Sequence, residues 1–217
     1  MDWYPLFNSL RIAAVSTVLI FFLGVLLAHG IARLPGWAKA LLDVLLTLPL
    51  VLPPTVVGWL LLLLLGPRRP LGSLVYSLFG CRLVMTWPAA VFAAMAVAFP
   101  LMYRTARGAF EGFDQELADA ARTLGYSDCR VFWCVQIPCC REGVLAGMVL
   151  AFARALGEYG ATSMIAGYTP GRTATISTTV YQLWRAGEDA AALRWVLVNI
   201  LISTVFLLVL GRLEQHK

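Results

Sequence analysis

The sequence predicts an all-α membrane protein: a bundle of about five transmembrane helices with one polar loop of short helices. Three observations point there. Hydrophobic residues make up 60% of the 217 and charged residues only 13%. The mean hydropathy is +0.78, a balance that belongs to the membrane class. The apolar residues gather into uncharged runs of membrane length, and the charges gather between them, the longest charge-bearing interval being 114–138. No secretory leader pattern heads the chain, so the first apolar run is expected to stay as an anchor.

The first run, 12–32, contains no Asp, Glu, Lys or Arg and is bracketed by Arg11 and Arg33. At helical rise it covers roughly 30 Å, the thickness of a bilayer core. The runs 44–66, 83–103, 143–167 and 195–211 complete the predicted spans. The stretches 70–81 and 173–184 are uncharged but too short to cross, and read as surface or re-entrant helices.

The second run holds Pro49, Pro53 and Pro54 at membrane depth, followed by Thr55. Each proline removes a backbone donor. Carbonyls freed in this way are tolerated where they face protein or a wet cavity. The segment therefore reads either as a broken helix lining a conduit or as a packing kink. The fourth run carries Arg154 near mid-bilayer and Glu158 one turn on, placed to pair on one helical face. That pair either neutralises itself and orients helices, or touches an anion in passage, with Thr162 following. In the last run Asn199 and Ser203, spaced i and i+4, can bond across helices or line the same path.

The interval 114–138 reads as two short amphipathic helices around an elbow. Leu117, Ala120, Ala121 and Leu124 fall at i, i+3, i+4 and i+7. Asp114 is placed to cap the first helix, with Glu116 in its first turn, where the helix dipole favours acids. Gly125 stops that helix. Ser127 and Asp128 can start a second one carrying Val131, Phe132 and Val135, ended by Pro138. An apolar stripe outside the membrane requires something to cover it.

The same residues carry a family resemblance. Asp119-Ala120-Ala121, Gly125 and Val135-Gln136-Ile137-Pro138 match in register the E-A-A loop of binding-protein-dependent ABC-importer permeases, with Asp for Glu, Val for Ile and Ile for Leu. The string ARALGEYGAT at 153–162 and LPLVLPP at 48–54 resemble the corresponding segments of molybdate permeases and, more loosely, sulfate permeases. The resemblance covers 6–211. It implies the type I importer-permease fold, with 114–138 as the coupling loop that docks on a cytoplasmic ATPase. It also implies a homodimer with two ATPase subunits, which hold the ATP and Mg, and a periplasmic or lipoprotein molybdate-binding protein. The connector 168–194 would help to receive that protein. The implied activity is molybdate conduction, with tungstate or sulfate/thiosulfate as alternatives.

If the coupling loop is cytoplasmic, five spans put the N-terminus outside and the C-terminus inside. Basic residues then divide almost evenly between the faces, while the acids fall mostly inside. The outer face is left net basic, a field that concentrates anions. Other classes lack their signatures. The chain has no G-x-x-x-x-G-K-[ST], no H-E-x-x-H and no G-x-S-x-G, so no catalytic residue and no cofactor are expected on it. There is no basic run with interleaved aromatics for nucleic acid. The five cysteines form no C-x-x-C pair, and no metal site is expected. A passive anion channel would explain a basic mouth but not a patterned docking loop.

Overall fold

The computed structural model describes residues 2–215, and all regular structure in that range is helical. The helices are α1 (Tyr4–Ala32), α2 (Gly36–Thr47), α3 (Pro54–Leu65), α4 (Pro70–Phe79), α5 (Trp87–Glu111), α6 (Gln115–Thr123), α7 (Asp128–Val131), α8 (Ile137–Cys139), α9 (Arg141–Leu156), α10 (Gly160–Ile165), α11 (Ile176–Arg185) and α12 (Asp189–Gln215). Three are long and apolar enough to cross a membrane, and up to five spans result if each bent pair counts as one.

Helix α5 is the axis of the bundle. Its Ala89, Ala90, Ala93, Ala94 and Ala98 are fully buried. Such small residues let α1 and α9 approach closely, which is how helices associate where lipid removes the hydrophobic drive. Both α1 and α5 begin at one end of the bundle, where Trp87 Nε1 donates to Asn8 Oδ1 at 2.9 Å. Both finish at the other end, where Phe110 and His29 meet. We call these the distal and coupling ends.

Several predicted bounds move. The run 12–32 lies inside the longer α1, and 195–211 inside the longer α12. The run 83–103 becomes a helix that starts later, after Thr86 turns extended ahead of Pro88, and continues to Glu111. Arg104 and Arg107 lie past the uncharged run but within the same helix. The run 44–66 is two helices rather than one span. A tight turn at Leu48–Leu50 and the Pro53-Pro54 pair bend the chain by 112° between Gly36–Leu50 and α3. The run 143–167 also breaks. Helix α9 stops at Leu156 after 16 residues, roughly 24 Å, and α10 restarts at Gly160.

The two short uncharged stretches become α4 and α11. Helix α11 is tied to the distal end by Asn8 Nδ2 donating to the Ala174 carbonyl at 2.8 Å and Ser9 Oγ accepting from Ile176 N–H at 2.9 Å. Its first turn is closed by a reciprocal Thr175–Thr178 cap. The hydroxyls of Thr173, Thr175 and Thr178 are thus consumed by the folding of the connector 168–194 itself, while the buried Thr179 hydroxyl has no partner among the described residues.

Candidate translocation joint and coupling elbow

The proline pair sets up the first site. Pro53 is extended and Pro54 opens α3, where a missing N–H is harmless. Helix α10 lies close against α3 at two glycines. A Cβ on Gly58 would fall 2.8 Å from Ala161 Cα, and one on Gly160 would fall 2.8 Å from Pro54 Cβ. Glycine is required at both because no room is left for a Cβ: Gly58 faces the Ala161 backbone and Met164 Cβ, and Gly160 faces the Pro54 ring and the Thr55 backbone. Thr162 is buried in α10, Thr55 is exposed on α3, and Pro49 is half-buried in the preceding turn.

Glu158 completes this joint, and not as the sequence predicts. It is not one turn on along the helix of Arg154 but sits in the break after α9. One carboxylate oxygen accepts Ala161 N–H at 2.8 Å, capping α10. The other accepts Arg154 Nη1 at 2.7 Å. The Glu158 side chain is 2% exposed and that of Arg154 is 31% exposed. One carboxylate thus satisfies a helix start and holds a cation, and an ion buried in this way persists because it is both paired and hydrogen-bonded. Arg154 has no second hydrogen-bond partner among the described residues. Asn199 is half-buried on α12, which packs on α9 and α11, and no hydrogen bond joins it to this joint.

At the coupling end, Asp114 caps α6 by accepting Glu116 N–H at 2.9 Å. Gly125 adopts φ +85°, and Tyr126 N–H closes back on the Ala121 carbonyl at 3.1 Å. Ser127 caps α7 through the Arg130 N–H. The second arm is not ended by Pro138. A widened turn over Phe132–Gln136 runs into α8, and the chain turns after Cys139. The wider turn takes up the proline ring, which an α-helical ladder would meet at the carbonyl four residues back.

Of the predicted stripe, Leu117, Ala120 and Leu124 stay exposed and only Ala121 turns inward. The inward side of α6 is Ala118 and Ala121, packed with Val131 against Phe113, Tyr126 and Val135 in a small core apart from the bundle. Leu117 and Leu124 face out, 47% and 79% exposed, and Ala120, Glu116 and Asp119 are exposed with them. Two apolar anchors about two helical turns apart are thus left uncovered, with Glu116 and Asp119 beside them. Arg122 spans the elbow, with Nε on Asp128 at 2.9 Å and Nη1 on Asp119 at 2.5 Å. The hydrogen bond from Arg122 holds the Asp128 carboxyl below the usual carboxylate range. The elbow meets the bundle through rings. Phe132 lies 4.0 Å from the His29 ring of α1 and 6.0 Å from Phe110 of α5. Cys140 Sγ donates to the Ala109 carbonyl, and burial pushes that thiol up.

Sequence reasoning missed a network between α2 and α5. Lys39 Nζ meets Glu111 Oε1 at 2.9 Å, and Arg107 meets the same oxygen at 3.0 Å. Arg107 also pairs with Asp43, which accepts the Tyr103 hydroxyl. Asp43, Thr47, Tyr103, Arg107 and Glu111 line a cavity of about 420 Å³. The only signal was that Asp43 precedes the run 44–66 and Arg107 follows the run 83–103 closely, with opposite sign.

Residues 20–217 match the family described as binding-protein-dependent transport system inner membrane component. The chain is 40% identical over 220 residues to the molybdenum transport system permease protein ModB of Escherichia coli K12, covering 100% of this chain and 96% of that protein. It is 37% identical over 212 residues to the putative molybdenum transport system permease protein YvgM of Bacillus subtilis, covering 98% and 93%. Among solved structures, a bacterial ABC transporter involved in import of the acidic polysaccharide alginate superposes with a TM-score of 0.77 at 17% identity, over 98% of this chain and 78% of that one. The inward-facing MetNI methionine ABC transporter superposes with a TM-score of 0.67 at 15% identity, over 96% and 94%. The fold is that of an ABC-importer permease, and the chain belongs to the family of binding-protein-dependent transport system inner membrane components.

Proposed function

We propose that this chain forms the membrane conduit of an ATP-driven molybdate importer and takes its driving force from a separate ATPase. The observation that carries this reading is similarity to molybdenum permeases along the whole chain. The exposed Leu117–Leu124 pair supports an ATPase groove as the elbow's partner. The assembly is a homodimer with two ATPase subunits inside and a molybdate-binding protein outside. The elbow and C-terminus face the cytoplasm and the N-terminus faces out.

In this mechanism the closed and open ATPase dimers bind different conformations of the permease. The elbow follows its groove. Phe132 passes the displacement to His29 of α1 and Phe110 of α5. The bundle rocks between outward-open and inward-open, and the α3–α10 joint moves as one piece. The unshared donors of Arg154 give the passing dianion a transient charge contact.

The test is uptake of radiolabelled molybdate into liposomes holding the permease with its ATPase and binding protein. Uptake that needs ATP and all three components, and that excess tungstate competes, is the expected result. Uptake without ATP would instead make the chain a passive channel. ATP-dependent uptake of sulfate but not molybdate would reassign the substrate.

A further inference from the structure

The turn between α3 and α4 carries Arg68 and Arg69, and Arg82 follows the end of α4. With Leu62, Gly66 and Pro67 they line an open cavity of about 380 Å³. All three arginines are exposed, and among the described residues no carboxylate pairs with any of them. Three guanidinium groups around one cavity repel unless an anion joins them. The turn is built rather than loose. Gly66 N–H bonds the Leu62 carbonyl at 3.0 Å, Arg69 N–H the Gly66 carbonyl at 2.9 Å, and Ser73 N–H the Arg69 carbonyl at 2.8 Å. Arg69 is thereby fixed at the start of α4, whose dipole adds to the positive field.

The surroundings say what kind of anion fits. Trp59 and Leu64 on α3, and Leu74, Leu78 and Phe79 on α4, are exposed apolar side chains. Helix α4 has ten residues, about 15 Å, too short to cross a bilayer. An apolar short helix with cations at both ends is the pattern of a segment lying in the membrane interface. A free oxyanion makes no use of an apolar rim, and an acidic soluble protein would leave that rim in water.

We infer that this cavity binds the phosphate headgroup of an anionic phospholipid, with the acyl chains lying along the exposed faces of α3 and α4. The site is independent of which anion the conduit carries and of which way the chain is oriented. Its consequence is that the α3 side of the translocation joint is anchored to lipid at its far end.

The full-length permease, purified in mild detergent, is titrated with phosphatidylglycerol or phosphatidylcholine of identical chains, and bound lipid is counted by native mass spectrometry. Phosphatidylglycerol should be retained over phosphatidylcholine. Each Arg→Gln substitution at 68, 69 or 82 should weaken that retention about fivefold. R68K/R69K/R82K should keep most of it, which separates lost charge from lost fold. Millimolar inorganic phosphate should leave it unchanged. Equal phosphatidylglycerol retention by wild type and R68Q/R69Q/R82Q overturns the proposal. So does displacement of the lipid by inorganic phosphate, which would mean a free-anion site. Loss of binding-protein association in the triple Gln variant with lipid retention intact would mean a protein dock instead.

Discussion

A Cβ added at Gly58 would lie 2.8 Å from the Cα of Ala161, whereas one added at Gly125 would meet nothing within 4 Å. The joint between α3 and α10 has glycine because there is no space. The elbow between α6 and α7 has glycine because the backbone stands at φ +85°, where an L residue's Cβ crowds the following carbonyl. The joint is closed by a carboxylate that is almost fully buried, and the elbow by an arginine between two exposed aspartates. A bend inside the bundle is fixed by contact and moves only with its neighbours. A bend outside it is fixed by chain chirality and stays free to follow a partner. A subunit that conducts at one place and is pushed at another needs both kinds.

The largest effect expected is at the joint. Gly58→Leu forces α3 and α10 apart against backbone, so it should destabilise by about 3 kcal/mol or more. Loss of a monodisperse peak and a lowered melting temperature in detergent would register it. A wild-type melting curve would mean that the helices separate freely and the joint is not rigid. Glu158→Ala comes next. It removes the cap of α10 and leaves Arg154 without its partner, at a cost of about 2–4 kcal/mol. Glu158→Gln should lose less, because an amide oxygen can still accept Ala161 N–H. Equal losses in the two variants would assign the whole effect to charge and none to the cap.

These two regions were unequally legible in the sequence. At the elbow the governing forces are local. Asp114 before an acidic turn and Gly125 after the last apolar position announce a cap and a stop, and both occur in the structure. Periodicity did not say which stripe would turn inward. Ala118 and Ala121 won because Val131 of the second arm packs there, and this left Leu117 and Leu124 outward. At the joint the forces are distant. Pro53-Pro54 announced a break, and Arg154 with Glu158 announced a pair. Nothing local could say that Glu158 leaves the helix to cap α10, or that Gly58 meets Ala161 across the fold. The Lys39–Glu111 pair, 72 residues apart, was hidden for the same reason.

Substitution of Gly125 sharpens the comparison further, because two causes rank the variants differently. If space were limiting, damage would follow size, and Asn would be worse than Ala. With the surroundings open and φ positive, Asn should be mildest, Ala worse, and Val worst, at about 1–2 kcal/mol of local strain. Assembly and melting should stay near wild type. The ratio of molybdate transported to ATP hydrolysed should fall in that order. A ranking by volume would overturn the account of the elbow given above.

Arg122→Ala should have the smallest effect and separates the two regions by their response to the medium. Its partners are exposed, so at neutral pH the melting temperature should barely move, and added salt should erase whatever difference remains. Asp128 has its folded pKa held below the unfolded value by Arg122. The folded chain therefore binds fewer protons there, and this contribution is present above the ordinary carboxylate range. It is lost as the pH falls through that lowered value. Melting curves of wild type and Arg122→Ala should converge in that acid window. Salt should leave the deficit of Glu158→Ala unchanged, since that pair is shielded by the bundle. If salt closed the gap at Glu158 as readily as at Arg122, the joint would be as wet as the elbow, and the distinction between a packed bend and a free one would fail.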